Sequence, residues 1–450
     1  MRTTGRSGHA LTSAAAVTSA RLTALVAAAV QLPILTRLLE PGDYGKLAVA
    51  IAVATYFNVF TDVHTLALQR FPGNPGDRSN YAYAAKRTYG TVAVIAGVLI
   101  VGGYLFGGSW QYALAIAGWG FGVTASRFVA TAWLGWLKPW SYAGSLTTST
   151  VVRTAVLVAL VATTGDADVS LAVAGAACGV AALLTGPRLI PRRTAPGQRP
   201  WRLGFGIQLA VTSAAVTLMG TAVLLVLPVI EAPDAVGRFA ATFQLAALTS
   251  GSALGLLTTV AYPRLRHAWD AGRQEDVHTA LVDTALLIVT TCAAVLAVTS
   301  AGDYWLARLA VAEGLRDFRL LPVLIVATAV ASLATTTSWE HQFRLEVASL
   351  SRRTLAAAVV GTALMAYLAL QFGLTGAAAG VVVLRGTYAL LVAPGTRRPL
   401  RVVVTTVALG AVGIAALVVE PSSFVVTAVG TVGAAVAGAV LLRRLHARKV

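Results

Sequence analysis

Four arginines stand inside apolar runs of the chain: Arg21, Arg127, Arg153 and Arg385. A guanidinium stays charged at any physiological pH and offers five N–H donors in a planar fork, a shape that suits a carboxylate or a phosphate. Counted at 1.5 Å per helical residue, each lies roughly 14–20 Å from the nearer cytoplasmic end of its run or from the charge flanking it, and snorkelling covers only part of that distance. At about 2.5–3.5 kcal/mol for each mid-membrane arginine, the four oppose insertion by about 10–14 kcal/mol. Ser145 and Ser149 share the helical face of Arg153, and Thr124 and Thr131 that of Arg127, which reads as a hydrated interior rather than a lipid face. Contact with an anionic cargo, pairing within a helix bundle, and snorkelling from misplaced span ends all remain open.

A second polar face runs through the next apolar stretch, with Asn58, Asp62, Thr65 and Gln69 in helical register and His64 beside them. Asp62 is expected either to pair with an arginine or to take and release a proton, since desolvation favours its neutral form. His64 reads as an interior hydrogen-bonding group or a proton relay. Soluble-enzyme chemistry finds no foothold. Gly45-Lys46 is followed by Leu and lacks the Gly-rich loop of a nucleotide-binding turn, and neither H-E-x-x-H nor a nucleophile elbow occurs. Gly118-Trp-Gly120-Phe-Gly122 lies within a long apolar run with no strand before it, so helix packing is expected of it. Cys178 and Cys292 sit in apolar runs without metal-ligand spacing and read as small buried hydrophobes. No cofactor or metal is expected, and no enzymatic activity.

The elements that must carry these residues are membrane spans. Hydrophobic residues make up 57% of the 450 and charged residues 12%, with a mean hydropathy of +0.74; a water-soluble globule cannot be built from that mixture. Runs long enough to cross about 30 Å of hydrocarbon follow one another with short breaks, and about fourteen are expected. They cover roughly residues 12–36, 44–68, 88–106, 110–137, 140–163, 169–190, 203–230, 235–260, 281–300, 320–339, 354–372, 374–395, 402–419 and 423–442. The first run is too long for a signal-peptide core and is expected to stay as a helix. The net charge of +17 would suggest nucleic acid in a soluble protein. Here the basic residues collect in alternate loops, about 25 on one side against about 6 on the other, so both termini are expected in the cytoplasm and nucleic-acid binding is not.

The stretch Gly186-Pro-Arg-Leu-Ile-Pro-Arg-Arg-Thr-Ala-Pro-Gly-Gln-Arg-Pro200 reads as a cytoplasmic linker. A pattern recurs on either side of it: Pro41-Gly-Asp-Tyr-Gly45-Lys46-Leu-Ala48 and Pro233-Asp-Ala-Val-Gly237-Arg238-Phe-Ala240. Both copies stand between the first and second span of their half in the same orientation, which predicts two parallel six-helix lobes related by an axis along the membrane normal. The expected organisation is a first lobe over 1–190, a linker at 191–202, a second lobe over 203–395, and two additional helices with a basic tail over 396–450.

Three segments resemble a known family: Leu35-Thr-Arg37-Leu-Leu-Glu-Pro41-Gly-Asp-Tyr44-Gly45, the break Ala261-Tyr-Pro263-Arg-Leu, and Phe372-Gly373-Leu-Thr-Gly376-Ala-Ala-Ala. Together they look like the oligosaccharide flippases of polysaccharide biosynthesis, grouped with lipid II flippases and multidrug-and-toxin extrusion antiporters in the multidrug/oligosaccharidyl-lipid/polysaccharide superfamily. The resemblance covers roughly residues 10–395. It implies an all-α polytopic membrane protein whose two lobes flank a V-shaped central cavity. It also implies movement of oligosaccharide on undecaprenyl diphosphate across the cell membrane by alternating access, with an anionic lipid-linked oligosaccharide and membrane lipids as partners and a polysaccharide polymerase and glycosyltransferases as associates. Many members carry an Asp in the seventh helix where this chain reads Leu218-Met-Gly220-Thr221, so a role for that Asp does not transfer.

Three rival readings keep distinct signatures. A drug or cation antiporter should set acidic residues deep in its cavity, and a lipid II flippase should carry its own motifs. A membrane-embedded glycosyltransferase or polymerase should pair carboxylates at one interface; Asp303 and Glu313 lie too close to Arg308 and Arg316 for that.

Overall fold

The computed structural model describes residues 4–59, 62, 79–105, 109–135, 138–186, 203–251, 261–262, 265–266, 268–301, 305–344 and 346–393, with a few positions between 405 and 409. The runs expected to form the thirteenth and fourteenth helices lie almost wholly outside them. Every long element is helical: α1 (Thr4–Leu38), α2 (Pro41–Thr55), α3 (Ser79–Leu105), α4 (Trp110–Gly135), α5 (Pro139–Thr164), α6 (Ala167–Thr185), α7 (Leu203–Ile230), α8 (Pro233–Ala246), α9 (Gln274–Ala301), α10 (Leu321–Phe343) and α11 (Val347–Val392). Among the described residues nine of these helices are long and apolar enough to cross a membrane. The described helices of α2 and α8 are shorter, and α8 runs on into a π-turn over Ala247–Gly251.

Local chemistry explains where the helices begin and end. Proline opens α2, α5 and α8, where its missing N–H is no loss and its fixed φ already suits a helix. Asp166 caps α6 by accepting from the Asp168 and Val169 N–H groups. Two glycines reverse the chain. Gly165 (φ 67°) ends α5 in a left-handed cap, and Gly373 (φ 56°, ψ −138°) interrupts α11. Forty-six residues in one straight helix would span about 70 Å, twice a bilayer's hydrocarbon; with Gly373 at its tip α11 instead folds into a hairpin of arms 347–372 and 374–392. The break read between residues 372 and 374 falls on that glycine.

The helices form two compact units, Met1–Leu39 with Lys46–Thr217, and Glu40–Gly45 with Leu218–Val450. In the first, α4 packs most extensively on α6, with α3 on its other side, while α5 bridges α6 and α1. Helices in lipid gain no hydrophobic drive from meeting one another and rely on close backbone approach. The glycines supply it: Cβ atoms at Gly118 and Gly122 of α4 would run into Ala172 and Gly175 of α6, and at Gly179 into the Phe121 ring. The Gly118–Gly122 run is therefore a packing seam, as its place in an apolar run predicted. Cys178 is buried in it, its thiol 3.6 Å from the Gly122 carbonyl oxygen.

In the second unit α10 is the enclosed helix, buried almost without interruption from Leu321 to Val330. It packs against α8, α9 and the α11 hairpin. The hairpin arms meet where Gly361 faces Leu384 and Gly380 faces Met365, again with no room for a Cβ.

Candidate functional site

The first unit holds a buried ion pair. Helix α2 tightens at Tyr56, where Tyr56 N–H donates to the Val53 carbonyl and Val59 N–H to that of Tyr56, each at 3.0 Å. Phe57 then lies flat against Gly120 of α4, where a Cβ would stand 2.6 Å from its ring. This brings the turn after α2 against α4. Asp62 is 0% exposed and its Oδ1 sits 2.8 Å from Arg127 Nη2; Ser213 of α7 donates a short hydrogen bond to its other oxygen. Asn58 is buried on the same side. Of the two readings of Asp62, pairing with an arginine is what the structure contains. Arg127 keeps 41% of its side chain exposed, so one edge of its fork is committed and the rest is accessible.

Arg153 on α5 is held differently. Its guanidinium carbon lies 4.9 Å from the centroid of Trp119 on α4, with Cys178 close by. No carboxylate pairs with it among the described residues, and its Nε has no hydrogen-bond partner there. The hydroxyls expected to wet its face are otherwise occupied. Ser149 donates to the Ser145 carbonyl at 2.8 Å, and Ser145 meets Thr185 of α6 at 2.9 Å; near Arg127, Thr131 donates to the Arg127 carbonyl at 2.9 Å. Ser145, Ser149, Thr124 and Thr131 are all buried. Ser145, Ser149 and Thr131 bond to helix carbonyls or to a neighbouring helix, as Ser and Thr do when packed against protein, while the buried Thr124 hydroxyl has no hydrogen-bond partner among the described residues.

Arg385 belongs to the second unit, on the second arm of α11. Its Nη1 donates to Thr328 of α10 at 3.4 Å, and its guanidinium stands 5.5 Å from the Phe243 ring of α8. It too has no carboxylate partner among the described residues. A guanidinium over an aromatic face keeps its in-plane N–H edge free. Arg153 and Arg385 thus share one arrangement, an aromatic backing and no neutralising carboxylate among the described residues. Arg21 is exposed on α1 beside the buried Tyr142 of α5. His64 lies outside the described residues, as do Thr65 and Gln69.

Sequence reading missed a polar cluster at the far end of α10. Glu340 is buried and forms a short ion pair with Arg344, and His278 of α9 approaches it at 3.9 Å. His341 bridges Glu346 and the Val392 carbonyl. A carboxylate one residue past an apolar run looks like a span boundary, which is why it drew no notice; the i,i+4 spacing of Glu340 and Arg344 was the available signal. Arg316, read as an outer-loop base, donates to the Arg308 carbonyl at 2.8 Å and the Val311 carbonyl at 3.0 Å, and so closes the loop before α10.

The fold is that of known membrane transporters. The lipid II flippase MurJ in an inward closed conformation superposes with a TM-score of 0.65 at 12% identity, covering 97% of this chain and 99% of that one. The eukaryotic MATE transporter AtDTX14 gives 0.57 at 13% identity over 90% of this chain and 98% of its own. A MOP-superfamily transporter from Pyrococcus furiosus gives 0.51 at 14% identity over 89% and 96%. No curated protein matches the chain. Residues 10–269 match the family described as Polysaccharide biosynthesis protein, more than half of the sequence. This chain of membrane-spanning helices with a MOP-type fold therefore belongs to the polysaccharide biosynthesis protein family.

Proposed function

We propose that this protein is a flippase that carries oligosaccharide linked to undecaprenyl diphosphate from the cytoplasmic to the outer leaflet of the cell membrane. It acts by alternating access and performs no catalysis. The observation that carries the reading is the pair Arg153 and Arg385: each unit of the chain holds one guanidinium within a span, backed by an aromatic ring and without a carboxylate among the described residues. An uncompensated charge at that depth opposes insertion by about 2.5–3.5 kcal/mol, and a diphosphate is the anion of this family's cargo that would compensate it. Arg127, half accessible beside Asp62, and Arg21, exposed on α1, add positive charge to the first unit beside that of Arg153. Both termini lie in the cytoplasm in this reading, because the basic loops do, and a polymerase and glycosyltransferases would supply and consume the cargo.

The MATE likeness suggests an antiporter of drugs or cations as the second reading. Against it stand the charges themselves: Asp62 is paired with Arg127, while Arg153 and Arg385 have no carboxylate partner among the described residues. Deleting the protein and identifying the lipid-linked intermediate that accumulates decides between them. A diphosphate-linked oligosaccharide on the cytoplasmic side supports the flippase; no such intermediate, with gained sensitivity to cationic drugs, supports the antiporter.

A further inference from the structure

His341, near the end of α10, is 0% exposed. Its Nε2 lies 3.0 Å from the Val392 carbonyl oxygen and its Nδ1 lies 3.1 Å from Glu346 Oε2. A carbonyl oxygen only accepts, so Nε2 carries a hydrogen. An ionised carboxylate also only accepts, so either Nδ1 carries a second hydrogen or Glu346 is itself protonated. In both arrangements one proton lies between His341 and Glu346, and both contacts of the ring hold while it is there. Without it a ring lone pair would face a carboxylate oxygen at 3.1 Å, with the ring shut away from water.

We propose that His341 and Glu346 form a one-proton binding site that clamps both ends of the α11 hairpin to α10. Glu346 immediately precedes the first arm and Val392 ends the second, so one ring ties the two arms at their shared base. The Glu346 side chain is 43% exposed, which gives the proton an exchange path to water. Val392 and Arg385 stand two helical turns apart on one face of the second arm, about 10 Å. Losing the proton therefore frees the end of the helix that positions Arg385. That last consequence rests on reading Arg385 as a cargo contact; the proton site does not.

Other charged groups surround this end: Glu340 with Arg344 on α10, His278 from α9, the Arg266–Asp270 pair on the segment before α9, and Arg352 and Arg353 early in α11. They all remain in a Glu346→Gln variant, which makes that variant an internal control. Its amide donates to a neutral Nδ1 and so keeps the contact without the extra proton.

The test is amide hydrogen exchange of the full chain in lipid nanodiscs, followed over residues 385–393 from about pH 6 to about pH 9. The wild type should lose protection relative to Glu346→Gln as the pH rises, by up to about tenfold per pH unit, the limit for one linked proton. His341→Gln, whose amide still donates to the Val392 carbonyl, should behave as Glu346→Gln does and stands in for it if that variant does not fold. Parallel loss of protection in wild type and variant overturns the proposal. No cargo takes part, so the result stands apart from the fate of the flippase reading, which Arg385→Ala transport decides.

Discussion

Gly45 and Gly237 pack reciprocally, each against the opening turn of the other's helix. A Cβ on Gly45 of α2 would stand 2.8 Å from the Pro233 carbonyl oxygen and 3.0 Å from Gly237 N, and a Cβ on Gly237 of α8 would overlap the Pro41 carbonyl. These glycines hold equivalent positions in the repeated P-x-x-x-G-[KR]-x-A pattern. The pattern is thus a contact surface as well as a repeat, and Tyr44 fastens it by donating to Gln244 at 2.8 Å. Backbone lies in the path of either methyl, and backbone cannot rotate aside as a side chain does. Gly237→Ala should therefore lower stability by about 1–3 kcal/mol, the usual cost of overpacking, and Gly45→Ala by less. Denaturation of both variants in detergent checks the order; an unchanged Gly237→Ala midpoint would show that the crossing is loose.

The fold was legible because lipid leaves few choices. Hydropathy marked spans that nine described helices are long and apolar enough to fill, the break between residues 372 and 374 fell on the reversal at Gly373, and the glycine run at 118–122 announced a close crossing. The site was legible in its ingredients and not in its assembly. Nothing in the spacing of Asp62 says that Arg127, 65 positions on, is its partner, or that Ser213 reaches its other oxygen. Trp119 and Phe243, which back Arg153 and Arg385, look in sequence like ordinary lipid-facing aromatics. Ser149 and Thr131 near the arginines look like a wet face only until their hydroxyls are followed back to helix carbonyls. Helical periodicity gives a residue's own face; which neighbour meets it depends on packing between segments far apart in the chain.

Arg153→Ala and Arg385→Ala should each abolish surface-polysaccharide export while the protein still inserts, because removing a deep charge eases insertion by about 2.5–3.5 kcal/mol. Arg153→Lys should keep part of the activity, since it retains the charge and loses the planar fork that suits a phosphate. Trp119→Phe should act like wild type and Trp119→Leu like a weakened Arg153, since a cation over an aromatic face is worth about 0.5–2 kcal/mol. Export assays alongside membrane-fraction blots separate loss of function from loss of protein, and full export from both alanine variants would remove the arginines from the cargo's path.

Orientation carries its own test, from charge asymmetry alone. A cysteine placed at Ser422 should react with an impermeant thiol reagent in intact cells, and one placed at Thr194, in the basic linker, should not. Labelling of Thr194 and protection of Ser422 would invert the topology, and with it the direction of transport.

For the proposed diphosphate cargo, the driving force follows from its sign and from what Asp62 touches. Asp62 has its Oδ1 2.8 Å from Arg127 and its other oxygen accepting from Ser213. A diphosphate carrying about two negative charges gains roughly 2.3 kcal/mol per charge for each 100 mV on moving outward across an inside-negative membrane, close to 4–5 kcal/mol in total. That gain biases flipping outward without a carboxylate cycle, although a return stroke that carries exposed arginines through the field offsets part of it. In vesicles holding the lipid-linked substrate, valinomycin with potassium should therefore slow translocation more than nigericin does. Asp62→Asn should keep appreciable transport, because the amide oxygen still accepts from Arg127 or Ser213 and the half-exposed Arg127 keeps its hydration. Its cost should appear in stability instead, as breaking one side of a buried pair does. Transport stopped by nigericin alone, together with an inert Asp62→Asn protein, would make proton antiport through Asp62 the engine and the potential a bystander.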